Sequence, residues 1–235
     1  KFGTDAVRFG VMLMSPQGSD VLFSEDRLEI GRNFMNKLWN ACRFVEMNLP
    51  SDFNYSSGEE IDEKTLDMPE KWILSRLSKT IDSYNYQLER FHFNEAAKVL
   101  YEFTWNDFCD WYIEIAKLKF YGDDLKSADI ARAVSTSCLQ TLLKLLHPFT
   151  PFITEELWQN FKPKNAGDLI ISEWPKPLFY HNDVIESDMN KLKEIITSIR
   201  SVRSRMNIPN SKEIELIVKC NDNKKNLLLS HYELF

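Results

Sequence analysis

From Thr4 to about residue 160, apolar side chains recur every three or four positions, the spacing of amphipathic helices. A helix with one apolar stripe must bury it against others, so a run of such helices joined by short to moderate loops predicts an antiparallel bundle. A first short helix is expected over AVRFGVML after Thr4, then a turn at SPQGSD, where Pro16 and Gly18 break it. Ser24 reads as the N-cap of a long helix running to about Leu49, with Glu25 and Asp26 at the positive end of its dipole. Leu28, Met35, Leu38, Cys42, Val45 and Leu49 form its stripe. Asp67 and Glu70 read as a capping box for a third helix lined by Ile73, Leu77, Ile81, Tyr84 and Leu88. A fourth from near Asn94 carries Ala97, Leu100, Phe108, Trp111, Ile115 and Leu118 inward. A fifth from about Ser127 carries Ile130, Val134, Leu142 and Leu145, and ends at His147-Pro148. Thr150 as N-cap and Pro151 in the first turn start a short sixth through Leu157 and Trp158.

Beyond residue 160 the character changes. Pro163, Pro175 and Pro177 interrupt an irregular stretch containing LIISEWP, a candidate extended segment. A basic helix follows from about Val184 to Met206, with Ile195, Ile196, Ile199 and Val202 expected inward. IELIVK, from Ile214 to Lys219, is β-rich, and NLLLSHYELF opens another helix. The expected fold is mainly α: a segment 1–23, an antiparallel helical bundle over 24–161, and a linker with the start of a small α/β subdomain over 162–235. The chain is expected to end inside that subdomain.

Composition narrows the class. Sixteen Phe, eight Tyr and six Trp against seven Gly suit thick layers of packed helices. No apolar run approaches the roughly 18 residues of a membrane span, and KFGTDAVRFG has no signal-peptide layout, so a cytoplasmic protein is expected. Cys42, Cys109, Cys138 and Cys220 are widely spaced without a CxxC, which favours reduced thiols over disulfides or zinc. The four histidines show no ligand spacing, and no metal or cofactor is expected. The net charge of −6 argues against nucleic-acid binding over the whole surface, but its distribution is uneven. Residues 51–70 hold seven acids and one base and read as a solvated linker, while residues 190–212 hold six bases and one acid.

Two groups of polar residues invite a chemical reading. On the long second helix, Arg32, Asn33, Asn36, Lys37, Asn40 and Arg43 span an arc of roughly 140° opposite the apolar stripe. Asn is a mediocre helix former, so three of them beside three bases suit recognition of phosphates and base edges. A merely wet helix face is the competing reading. In FCDWYIEIAK, Asp107, Asp110 and Glu114 fall on one side of a regular helix, the layout of a metal or acid–base site. No His or fourth ligand joins them, and surface pairing is the plainer role. Trp105, Trp111 and Tyr112 read as core rather than a base-stacking platform. Arg200, Arg203 and Arg205 offer a basic patch for phosphate contact, with a solvated face the plainer reading. No phosphate-binding glycine loop, catalytic triad or nucleotide fingerprint occurs.

Four stretches in order carry a resemblance: GTDAVRF, SPQGSDVLFSEDRLEIGRNFMNKLWNACRFV, FCDWYIEIAK and LLKLLHPFTPFITEELW. Together they resemble the segment that follows the catalytic domain in valyl-tRNA synthetases, and the likeness covers nearly the whole chain. Isoleucyl- and leucyl-tRNA synthetases share the bundle and the HPFTPF-like turn, but RNFMNKLWNACRF paired with FCDWYIE favours the valyl family. The resemblance implies a class I synthetase's anticodon-binding helical domain, with tRNA for valine as partner, residues 1–23 as a stem-contact segment, and a monomer. ATP would be used by a catalytic domain whose HIGH and KMSKS signatures are absent here, so the fragment itself is expected to be non-catalytic and cofactor-free. Arg32, Asn33, Lys37, Asn40 and Arg43 lie in the family's RNFxNKLWNAxRF motif, which makes them the expected RNA contacts. The same domain of an isoleucyl enzyme, a protein-interaction scaffold and a metal-dependent bundle enzyme stand as alternatives.

Overall fold

A computed structural model describes residues 1–14, 18, 23–53, 62–177, 180–209, 212–220 and 222–231. Most of the turn expected over Ser15–Asp20 and the middle of the acidic stretch 51–70 lie outside the described residues. Helices occupy Thr4–Met14 (α1), Glu25–Met47 (α2), Met68–Glu89 (α3) and Phe93–Glu102 (α4). They continue with Ile113–Phe120 (α5), Leu125–Leu146 (α6), Pro151–Phe161 (α7), Asp183–Arg205 (α8) and Asp222–Ser230 (α9). Contacts divide the chain into two compact units, Lys1–His181 and Asn182–Phe235.

Within the first unit, cross-helix pairs give the helix directions. Phe34 meets Tyr101, Lys37 meets Asp110 and Phe44 meets Phe120, so α2 runs parallel to the α4–α5 rod. Arg76 pairs with Asp107 and Lys119 with Glu70, so α3 runs against that rod. Asn48 at the end of α2 accepts from Arg132 near the start of α6, an antiparallel pair again. The result is an up-down-up-down bundle whose core includes Leu38, Trp72, Phe108, Tyr112, Leu142 and Trp158. α1 crosses α2 closely: a Cβ placed on Gly31 would lie 2.1 Å from the Ala6 carbonyl oxygen. Phe9 stacks on Phe34 there, with ring centroids 4.5 Å apart. Asp5 of α1 accepts from the Ile153 amide at the start of α7, and Arg8 donates to the Pro148 and Phe149 carbonyls.

The α4–α5 rod is not a regular helix throughout. From Phe103 to Tyr112 it is a π-helix, in which the Ile113 amide donates to the Phe108 carbonyl five residues back. This wider turn shifts the phase of the buried stripe. Leu118, expected inside, is 49% exposed, whereas Tyr112, Ile113, Ala116 and Phe120 are buried.

Three expected N-cap side chains, Ser24 at α2, Asp67 at α3 and Thr150 at α7, make no capping bond. Instead Asp67 and Glu70 both accept from Lys119, at 2.8 and 2.7 Å. The ion pairs to Lys119 at the end of α5, with Glu70 buried and Asp67 exposed, outweigh the local box. α3 ends where Phe91 adopts φ 59°, and the His92 amide closes back on the Gln87 carbonyl. Leu169–Ile171 of LIISEWP forms a 3₁₀ turn rather than an extended segment.

The second unit is described by itself. α8 buries Glu186, Met189, Leu192 and Ile196, while Val202 is 45% exposed, so its stripe sits nearer the N-terminus than expected. Ile214–Lys219 follows without regular secondary structure, and no strand occurs among the described residues. A β-prone segment forms a ladder only with a partner strand, and none is present among those residues.

Candidate nucleic-acid interface

Length and burial on one side fix α2 in place. Gly31, Phe34, Met35, Leu38, Ala41, Cys42 and Val45 face the bundle. Its opposite side therefore projects to solvent over several turns. At 100° per residue, Asn33, Lys37 and Asn40 form one column, and Arg32, Asn36 and Arg43 form the neighbouring one.

The members of this face differ in what holds them. Arg32 makes a loose 3.4 Å pair with Glu29 and sits 5.8 Å from the centre of the Phe2 ring. Lys37 lies with its ammonium 3.8 Å from the centre of the Trp105 ring and pairs with Asp110. Asn33, Asn36, Asn40 and Arg43 are exposed and have no side-chain partner among the described residues. A wet face rich in i, i+4 ion pairs would hold its own charges. Here the amide and guanidinium donors are left for solvent or a ligand.

Arg32 and Asn36 also line a cleft of about 360 Å³ with the start of α1 and the start of α7. Asp5 and Met35 lie at its walls, and Phe152, 66% exposed, at its lip.

On the other flank, sequence reasoning missed the contribution of the rod. Tyr101 stacks on Trp105 at 5.5 Å and also meets Phe34. Trp105 is thus a half-buried ring between the core and the polar face, not a core residue. The only local sign in the sequence was the aromatic density of YEFTWNDFCDWY, which does not reveal a change of helical register.

The three carboxylates imagined as a metal site are separated. Asp107 is buried against Arg76 at 2.9 Å, Asp110 pairs with Lys37, and Glu114 pairs with Lys117 within its own helix at 2.6 Å. Among the described residues no group of three His, Cys, Asp or Glu side chains is placed to hold a metal ion. Each acid is committed to a different base, because the π turn rotates Asp107 and Asp110 apart. In the second unit, Arg203 donates to the carbonyls of Pro209 and Lys212 at 2.6 and 2.7 Å, which ties down the turn after α8. Lys191 pairs with Asp188 at 2.7 Å.

Cys42, Cys109 and Cys138 are buried free thiols and Cys220 is exposed. Burial raises the Cys109 thiol to about 12, which keeps it protonated and unreactive. His147 bonds Thr154 at 2.8 Å, and burial lowers its pKa. No described helix is long and apolar enough to cross a membrane.

This bundle matches known proteins. A family model described as "Anticodon-binding domain of tRNA ligase" matches residues 70–218, and the chain belongs to that family. Among its curated relatives are proteins named Valine--tRNA ligase. The one from Bacillus subtilis (strain 168) is 40% identical over 220 residues, covering 93% of this chain and 24% of its own length. The one from Listeria monocytogenes serovar 1/2a is 42% identical over 224 residues, covering 94% of this chain and 25% of its own. The chain thus spans about a quarter of the length of these relatives. A LeuRS chain of Agrobacterium radiobacter K84, solved in a ternary complex with tRNA and LeuAMS, has a TM-score of 0.55 at 20% identity. That match covers 79% of this chain and 20% of the other, and it supports the fold alone.

Proposed function

We propose that this chain reads the anticodon arm of a tRNA for valine, as one part of a longer ATP-dependent valine–tRNA ligase. The observation that carries the reading is the outer face of α2, where Asn33, Asn36, Asn40 and Arg43 expose donors and acceptors that no described protein group uses. Arg32, Lys37 and Arg43 supply charge for phosphates, and the asparagines supply directional bonds to the edges of unstacked loop bases. Confining the contacts to one face reconciles RNA binding with a net charge of −6. The relatives named Valine--tRNA ligase support the amino-acid assignment. In this reading the chain holds no cofactor, leaves ATP chemistry to other parts of the longer protein, works as a monomer, and acts in the cytoplasm.

Fluorescence anisotropy with a valine-anticodon stem-loop tests the proposal. Binding should weaken when the middle anticodon base is changed and when Arg32 and Arg43 are both replaced by Ala. Losing two phosphate contacts should also flatten the slope of log K against log salt by about 1.4 to 1.8. Binding that ignores both changes would refute the reading.

A further inference from the structure

The π-helix at Phe103–Tyr112 does something that a regular helix could not. Trp105 and Asp110 are five residues apart, and on an α-helix they would point about 140° away from each other. In the i→i+5 register they come onto one side and grip the same partner. That partner is Lys37 of α2, whose ammonium lies 3.8 Å from the centre of the Trp105 ring and pairs with Asp110. Behind Trp105 stands Tyr101, stacked at 5.5 Å, and behind that Phe34 at 5.3 Å, itself stacked on Phe9. The indole is therefore backed by a rigid column of rings and faces the Asn33–Lys37–Asn40 column, whose two asparagines have no partner among the described residues.

We propose that Trp105 and Asp110 form a subsite for one unstacked nucleobase of the RNA, and that Lys37 is a latch occupying it when RNA is absent. The inference rests on the anticodon-arm reading and assigns one base-reading element within it. An aromatic face held half open at the edge of a polar surface is a stacking platform for any base. The cation over that face fills the place a base would take. Asp110 is half exposed and acceptor-only when ionised, so it selects bases that present an amino group, cytosine, adenine or guanine, over uracil. When the base enters, Lys37 leaves the ring and Asp110 and pairs with a flanking phosphate, so its charge stays neutralised. Asn33 and Asn40, four residues before Lys37 and three after it, lie on either side to bond the same nucleotide.

The test uses the whole 235-residue chain and the valine-anticodon stem-loop carrying 2-aminopurine at each loop position in turn. One position should lose most of its fluorescence on binding. That quench should vanish in Trp105→Ala, return in Trp105→Phe, and persist in Phe91→Ala, which removes an exposed ring at the α3–α4 turn, away from the proposed contacts. Circular dichroism and thermal melting confirm that each variant is folded, and Trp105→Phe keeps the test decisive if Trp105→Ala is not. With natural bases at the quenched position, the wild-type chain should prefer cytosine over uracil by about five- to tenfold, and Asp110→Asn should erase or reverse that preference. Wild-type binding with no position quenched, or quenching unchanged in folded Trp105→Ala, overturns the subsite. So does an unchanged base preference in Asp110→Asn. In each of these cases the anticodon reading survives if Arg32→Ala/Arg43→Ala still weakens binding. Failure of the wild-type chain to bind any stem-loop overturns both.

Discussion

Gly31 offers a test of how the first two helices hold the rest. A Cβ there would lie 2.1 Å from the Ala6 carbonyl oxygen, with the Ala6 carbonyl carbon at 3.0 Å and the Gly10 amide at 3.1 Å. All three atoms are backbone, so no rotamer change can relieve the overlap. In an open helix, Gly→Ala would gain about 1 kcal/mol. At this crossing the methyl must drive α1 and α2 apart by roughly an ångström, enough to forfeit a large part of the dispersion well between them. Overpacking of this kind costs about 1–3 kcal/mol, and opening the crossing also loosens the Phe9–Phe34 stack, whose centroids are 4.5 Å apart. An aromatic pair adds about 0.5–1.5 kcal/mol beyond its burial. α1 cannot simply retreat, because Asp5 and Arg8 fix it to the α6–α7 corner. Set against the helix-propensity gain, the balance is a net loss of about 2 kcal/mol, or roughly 4–8 °C in Tm for a chain of this size. The assay is thermal unfolding followed by circular dichroism, with Gly3→Ala as control, since nothing lies within 4 Å of a Cβ at that position. A Gly31→Ala protein melting at or above the wild-type temperature would refute the close-crossing argument.

Other consequences follow from burial and backbone geometry. In the native state a thiol reagent should label Cys220 quickly, with Cys42, Cys109 and Cys138 reacting only on unfolding, as a stopped-flow count of released thiolate would show. Burial raises the carboxyl pKa of Glu70 despite its bond to Lys119, so the folded state holds this proton more tightly than the unfolded one. That contribution is fully present below the ordinary Glu value and is lost as pH rises through the raised one. Glu70→Gln should therefore flatten the fall in stability over that window in denaturant titrations at a series of pH values. Phe91 holds φ 59° while 68% exposed, so Phe91→Gly should stabilise by about 0.5–1 kcal/mol, and unchanged or lower urea midpoints would contradict the strain.

The positions of the bundle helices could be read from the apolar stripes, because burial of one face leaves its period in the sequence. Val134, Leu142, Leu145, Leu157 and Trp158 are buried as the spacing of three and four predicts. What escaped was register within a helix and bonding between helices. A π turn changes the phase by about one residue, so Leu118 moved out and Phe120 moved in, yet no residue type marks the change. Ser24 and Asp67 are good capping residues on propensity, but Asp67 is drawn to a lysine 52 residues away. The polar face of α2 was visible as a pattern. That Lys37 is held by Trp105 and Asp110 while Asn33, Asn40 and Arg43 are not depends on the neighbouring rod, and a pattern along one helix carries no information about its neighbour.

The bonds that tie α1 to the α6–α7 corner join residues 140 to 148 positions apart. On a ribosome, Asp5 and Arg8 emerge long before Pro148, Phe149 and Ile153 exist. At about 5–20 residues per second, the first helix waits roughly 7–30 seconds for the corner that will receive it. During that interval Phe9 and Gly31 can bring α1 to α2, but its polar side chains must stay hydrated. The first helix of this unit is thus among its last parts to be secured, and a nascent chain stalled before residue 148 would leave α1 without its corner contacts and open to chaperones and proteases.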